Sequence, residues 1–119
     1  VTAIFTARLS YAGPDRLDIT RLGRDPVGIV FAPSESILWP MKALKRSRRA
    51  TREKWLEYEQ AYLAEMRDSR MLWPEAWRKV FSGPSVTLCC YCENAGTCHR
   101  VVLARFVTEA VEHSYEGER

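Results

Sequence analysis

The chain has no apolar run near the ~20 residues a membrane span needs, no low-complexity tract, no internal repeat and no linker. No signal-peptide pattern opens it. No cysteine lies outside residues 89–98, and thiols confined to one short stretch cannot staple distant parts of a fold. That excludes a secreted disulfide scaffold and points to a cytoplasmic protein with reduced thiols. Histidine is scarce, with only His99 and His113. Neither sign of charge dominates: 18 basic against 15 acidic residues leave a net charge of +3, so the placement of charge says more than its sum. What is present is globular: 46% hydrophobic and 28% charged residues over 119 positions. A chain of this length buries roughly two-thirds of its unfolded surface, so a single compact domain is expected.

Short apolar runs alternate with helical patterns. Thr2–Ala7 reads as a strand, Leu17–Leu22 as a half-buried or edge strand, and Val27–Ala32, almost wholly apolar, as a strand covered on both faces. From Pro40 the pattern is helical, with a break near Ser47–Thr51. Trp55, Tyr58, Tyr62, Leu63 and Met66 then form an apolar stripe that should pack on a sheet. Trp73-Pro74-Glu75 starts another helix with Pro74 in its first turn. Val86–Tyr91 reads as a buried strand, and a last helix runs from about Cys98 to Glu112, with Thr97 as N-cap. The tail Ser114–Arg119 is polar and expected to fray. The order predicts an α/β fold: a mostly parallel sheet of about four strands covered by helices, with ligand sites beyond the strands' carboxyl ends.

The stretch Val86–Arg100 holds every cysteine and one of the histidines. On a strand, Cys90 and Cys92 share one face and Cys89 takes the other. Cys98, His99 and Arg100 fall at the positive end of the next helix, where a thiolate or a bound anion is favoured. One reading makes Cys98 the nucleophile, Cys90 or Cys92 its partner thiol, His99 the proton carrier, and Arg100 with loop amides the anion holder. Arg8 and Ser34, from loops expected at the same sheet edge, are further anion ligands. The plain alternative is that the cysteines are small buried hydrophobes. Cys89-x-x-Cys92 followed by Cys98-His99 also offers zinc-type donors. However, adjacent Cys98 and His99 point about 100° apart on a helix, and no second ligand pair stands elsewhere. No metal site is assigned and no cofactor is named. The Cys-x5-Arg loop of phosphatases and rhodaneses is absent, since Cys98 follows Cys92 and Arg100 comes two residues late.

A second feature is basic. Lys42, Lys45, Arg46, Arg48, Arg49, Arg52 and Lys54 lie within thirteen residues, with Glu53 the sole acid. Such a cluster suits a phosphate-bearing small molecule or a nucleic acid, with Trp39 beside it able to stack on a base. It also suits a solvated helix face balanced by Glu57, Glu59 and Glu65.

The run from Leu88 to Ala104 resembles the C-terminal signature of a bacterial and phage family known as domain of unknown function 488. That signature is a cysteine at a strand end, seven residues, then Cys-His-Arg and a leucine-rich helix, and Cys90, Cys98, His99 and Arg100 match it. The family usually carries a glutamate where this chain has Cys92. Tyr11–Arg21 and Phe31–Ser34 resemble a compact branch of the same family, so the likeness covers most of the chain. The resemblance implies an α/β fold and functional weight on the cysteine loop. Together these readings lead to a cysteine-dependent enzyme, or enzyme-like protein, acting on a nucleotide or nucleic-acid-linked substrate. The rival is a non-catalytic nucleic-acid-binding module with buried or zinc-binding cysteines.

Overall fold

The computed structural model describes residues 2–92, 97–110 and 114–119. Strands β1 (Ala3–Arg8), β2 (Arg16–Asp18), β3 (Ser85–Cys90) and β4 (Ser114–Glu118) form one all-parallel sheet in the order β2-β3-β1-β4. Helices α1 (Glu35–Arg46), α2 (Arg52–Leu72) and α3 (Pro74–Val80) connect β2 to β3, and α4 (His99–Ala110) connects β3 to β4. The expected parallel α/β architecture is therefore present. Glu112 and His113 lie outside the described residues.

Alternation along the strands places the core. Ile4 of β1 and Val86, Leu88 and Cys90 of β3 join Tyr62 and Met66 of α2, Trp77 of α3, and Val102, Leu103 and Val107 of α4 in one cluster. Tyr58, Tyr62 and Met66 are the buried members of the predicted α2 stripe. The opposite face of the sheet is covered differently: the Arg119 guanidinium lies 3.6 Å from the centre of the Phe5 ring and donates to Thr87 Oγ1 at 2.9 Å.

Two expectations are overturned. The apolar run Val27–Ala32 is not a strand; Gly28–Phe31 form a short 3-10 helix. The Asp25 carboxylate accepts from the amides of Val27 and Gly28 at 2.9 and 2.8 Å, turning the chain before it can extend. Gly28 packs so closely on Asp18 that an added Cβ would lie 1.7 Å from its carbonyl oxygen. The carbonyls of Val30 and Phe31 accept from Ser69 Oγ at 2.8 Å and Tyr62 Oη at 2.6 Å, so side chains of α2 replace a sheet partner. The second correction is the polar tail, which forms β4 on the free side of β1. Tyr115 Oη lies 2.7 Å from Thr6 Oγ1, and Gly117, at φ 101°, sits where the register shifts.

Smaller differences follow local chemistry. Helix α1 begins at Glu35, and Pro40 lies inside it. The proline withholds one hydrogen bond from the Ser36 carbonyl, at an exposed residue where water can serve it. Of Leu17–Leu22 only Leu17 and Asp18 join the sheet, in a strand that begins at Arg16, with the Ile19 amide adding a bond to the Cys89 carbonyl at 3.1 Å. Cys98, rather than Thr97, directly precedes the last helix.

Candidate active site

Strand β3 runs out of the core and ends at the thiols. In the sheet register Arg8 stands beside Cys90 and Asp18 beside Cys89, so three strands finish at one edge. Parallel sheets gather their ligand sites beyond such an edge.

Arg100, one residue into α4, is fully buried, at 0% exposure. Its Nη1 donates to the Cys92 carbonyl at 2.7 Å and to Cys90 Sγ at 3.1 Å. Its Nε and Nη2 donate to the two Glu118 carboxylate oxygens at 3.0 and 3.4 Å. The planar fork of an arginine suits three partners at fixed angles, as a lysine would not. Burial alone would raise the Glu118 carboxyl. The hydrogen bonds from Arg100 and Thr6 and the guanidinium charge outweigh it, and the group sits below its ordinary 4.5. Arg100 thus ties the cysteine loop to β4, and its guanidinium spends its donors on the protein.

Three sulfurs converge above it. The structure pairs Cys90 with Cys98 as a disulfide, with their Cα atoms 7.8 Å apart, so a free thiol at either position belongs to the reduced chain. Cys92 joins them, and all three Sγ atoms lie within 4.8 Å of one another. Cys90 and Cys98 are equally buried, at 1% exposure, and Cys92 is half-buried; what separates them is that Cys90 and Cys92 line a cavity of about 240 Å³ and Cys98 does not. Lys45 Nζ lies 4.0 Å from Cys92 Sγ and donates to the Thr97 carbonyl. Cys89 points to the other face of the sheet, and burial pushes its thiol up.

His99 also lines the cavity. Its Nε2 lies 3.0 Å from the Ile19 carbonyl, which can only accept, so Nε2 carries the proton. The Nδ1 lone pair is left toward Cys98 Sγ, 4.0 Å away. Burial pushes the imidazole down to about 4; the Ile19 bond opposes this, and Arg100 and Lys45 add to it. At neutral pH His99 is a neutral acceptor facing a buried sulfur. A histidine whose folded value lies below its unfolded one stabilises the fold above about pH 6.5 and loses that contribution as pH falls toward 4. Denaturant titrations over that window should show His99 alone costing on the order of 3 kcal/mol, a loss that His99→Gln abolishes.

The cavity wall opposite the thiols comes from the helices: Leu38, Met41, Lys42 and Lys45 of α1, and Trp55 and Tyr58 of α2. Lys45 Nζ lies 5.2 Å from the Trp55 ring centre and Lys42 Nζ 5.0 Å from that of Trp39. Thr20 and Arg21 close a further side, with Arg21 donating to the Pro33 carbonyl at 3.0 Å. Burial, and after it the nearby Cys92, pushes the Tyr58 phenol up, so it remains a neutral wall residue. Of the basic run, then, Lys42 and Lys45 line the cavity, Lys45 alone within reach of Cys92, while Arg46, Arg48, Arg49 and Arg52 stand exposed where α1 turns into α2. Arg8 and Ser34 do not line this cavity. Ser34 is spent on Glu65: its amide donates to the carboxylate at 2.8 Å and its hydroxyl donates to the other oxygen.

The residues the sequence left unnoticed are Arg21, Trp55, Tyr58 and Glu118. Trp55 and Tyr58 were visible only as members of an apolar stripe, and their place at its outer end, beside Lys45, is a tertiary fact. Glu118 carried no signal, because the tail gave no sign of being a strand.

An all-parallel α/β sheet with a cysteine cluster beyond its central strand, a buried arginine beneath and a lysine-lined cavity above defines the class. Residues 3–111 match the family DUF488-N3a, described as "Active DUF488-N3 subclade". The chain belongs to that family. Comparison with curated proteins and with solved structures gave no match. Among the described residues, no helix is long and apolar enough to cross a membrane.

Proposed function

We propose that this protein is a cysteine-dependent enzyme whose pocket-facing thiol, Cys90, acts on a phosphate-bearing substrate of nucleotide type. The observation that carries the reading is the position of Cys90: at the end of β3, on the cavity wall, with the Arg100 guanidinium 3.1 Å from its sulfur. A cation donating a hydrogen bond to sulfur favours the thiolate, which is the nucleophilic form. Cys98, the nucleophile suggested by helix position alone, lies behind Cys90 and is better placed as the partner thiol. His99 Nδ1, 4.0 Å from Cys98 Sγ, is then the acceptor for the Cys98 proton in the reduced chain.

The substrate class follows from the wall. Two lysines supply positive charge, no carboxylate stands among the described lining residues, and Trp55 with Tyr58 supplies a flat apolar surface for a base. A cavity of about 240 Å³ is small, so it suits one nucleotide unit rather than a duplex. The exposed arginines at the α1–α2 turn extend the positive surface outward, so a nucleic-acid-linked substrate would be held there by its backbone.

Two haloacetyl probes, one neutral and one joined to a nucleoside monophosphate, test this reading. The phosphorylated probe should modify Cys90 at least about tenfold faster at low salt, an advantage lost with Lys42→Ala/Lys45→Ala or at high salt. Equal rates for both probes would remove the substrate class. Modification of Cys90 by neither would remove the enzyme reading.

A further inference from the structure

The three sulfurs have a second capacity. We propose that Cys90, Cys92 and Cys98 form a binding site for a soft divalent cation, zinc or a chemical relative, with its fourth position open to the cavity.

Ligand type and spacing carry the proposal. Zinc holds thiolates at about 2.3 Å, so two sulfurs of a tetrahedral site stand about 3.8 Å apart. The three Sγ atoms lie within 4.8 Å of one another, and a thiol reductant that opens the Cys90–Cys98 pair supplies the two electrons and frees both sulfurs for the ion. The Cα atoms of Cys90 and Cys98 are 7.8 Å apart, beyond the roughly 4.4–6.8 Å that a disulfide spans. Once the pair is reduced, a separation of this size suits two ligands of one ion.

The surroundings fit the charge. Binding M²⁺ with loss of three thiol protons leaves a complex of net charge −1. The Arg100 charge is already matched by Glu118, so Lys45, 4.0 Å from Cys92 Sγ, supplies the balancing cation. The Arg100 Nη1–H directed at Cys90 Sγ is the kind of outer hydrogen bond that orients a metal-bound thiolate. Entry is through the cavity, which Cys90 and Cys92 both line. Sequence spacing offered Cys89 with Cys92 and then Cys98-His99; the structure instead groups Cys90, Cys92 and Cys98, with Cys89 on the other face of the sheet.

The ion would occupy the Cys90 lone pairs, so loading and thiol reactivity exclude one another. The inference uses the sulfurs of the proposed reaction without depending on that reaction. Its test is titration of the reduced full chain with Co²⁺ in the absence of oxygen. Expected are sulfur-to-cobalt charge-transfer bands, visible bands of tetrahedral intensity, release of three protons per ion, and displacement by Zn²⁺. Cys92→Ser should weaken binding by more than the roughly 10–100-fold that loss of an outer-shell partner costs. Cys89→Ser should leave it unchanged. Absence of the charge-transfer bands, or equal affinity in Cys92→Ser, would overturn the proposal. Zn²⁺ should also protect Cys90 from alkylation, and protection absent despite bound metal would place the ion elsewhere. Chelator-treated protein reports separately on the nucleophile, so the two readings can fail independently.

Discussion

Arg100→Leu is expected to destabilise the fold by about 3–5 kcal/mol, the usual cost of removing one partner from a buried ionic network. At this chain length that corresponds to a melting temperature lower by roughly 10–20 °C. The size follows from what the side chain holds. It is completely buried, and four hydrogen bonds run from it to Glu118, Cys92 and Cys90. Leucine fills part of the volume but leaves the Cys92 carbonyl without its donor and β4 without its tie to α4. Arg100→Lys should rescue little, because one ammonium cannot reach partners spread around a planar fork. Glu118→Gln should cost less than Arg100→Leu: the carboxylate is 40% exposed, and an amide oxygen can still accept from Nε. Thermal denaturation of the three variants checks this ordering. A melting temperature for Arg100→Leu within a few degrees of the parent would show that the guanidinium is not the tie described.

Cys90→Ser is expected to lower any thiol-dependent turnover, and covalent capture by the phosphorylated probe, by about a thousandfold or more. A hydroxyl at that position lacks the nucleophilicity that thiolate provides. The fold should tolerate the change, since serine is close in size and Arg100 Nη1 can donate to its oxygen. Cys98→Ser should behave differently: capture at Cys90 persists, because the sulfur that faces the cavity is unchanged. Cys89→Ser should leave capture intact, because that thiol faces the opposite side of the sheet and is held protonated by burial. Equal losses in Cys90→Ser and Cys98→Ser would instead favour the helix-head sulfur as nucleophile.

The parallel α/β order was legible because Thr2–Ala7, Val86–Tyr91 and the helical stripes carry the periodicity of their own elements. Two failures show where periodicity stops informing. Val27–Ala32 has the composition of a central strand, yet the Asp25 carboxylate caps it locally and Gly28 must press against Asp18. Both are contacts a hydropathy pattern does not contain. The tail failed in the opposite direction, since nothing in Ser-Tyr-Glu-Gly-Glu-Arg announces a strand. What recruits it is tertiary: Arg100 needs a carboxylate, Thr6 pairs with Tyr115, and the Arg119 amide reaches the Thr6 carbonyl at 2.7 Å.

The site was legible to a similar depth. The loop could be found because a strand end and a helix head were written on either side of it. The division of labour within it could not, because access to a cavity depends on which face α1 and α2 present. Lys42 and Lys45 were separated from the other basic residues only by that packing. Arg100, read as an open anion ligand from its place at the helix head, turned inward once β4 supplied Glu118.

The most direct measurement is the rate of iodoacetamide labelling of each cysteine in the reduced native protein at pH 7, resolved by peptide mass mapping. Cys90 is predicted to label first, with Cys92 next, and with Cys98 and Cys89 silent until denaturant is added. Labelling of Cys98 ahead of Cys90, or of all four only on unfolding, would contradict the assignment of the pocket-facing thiol.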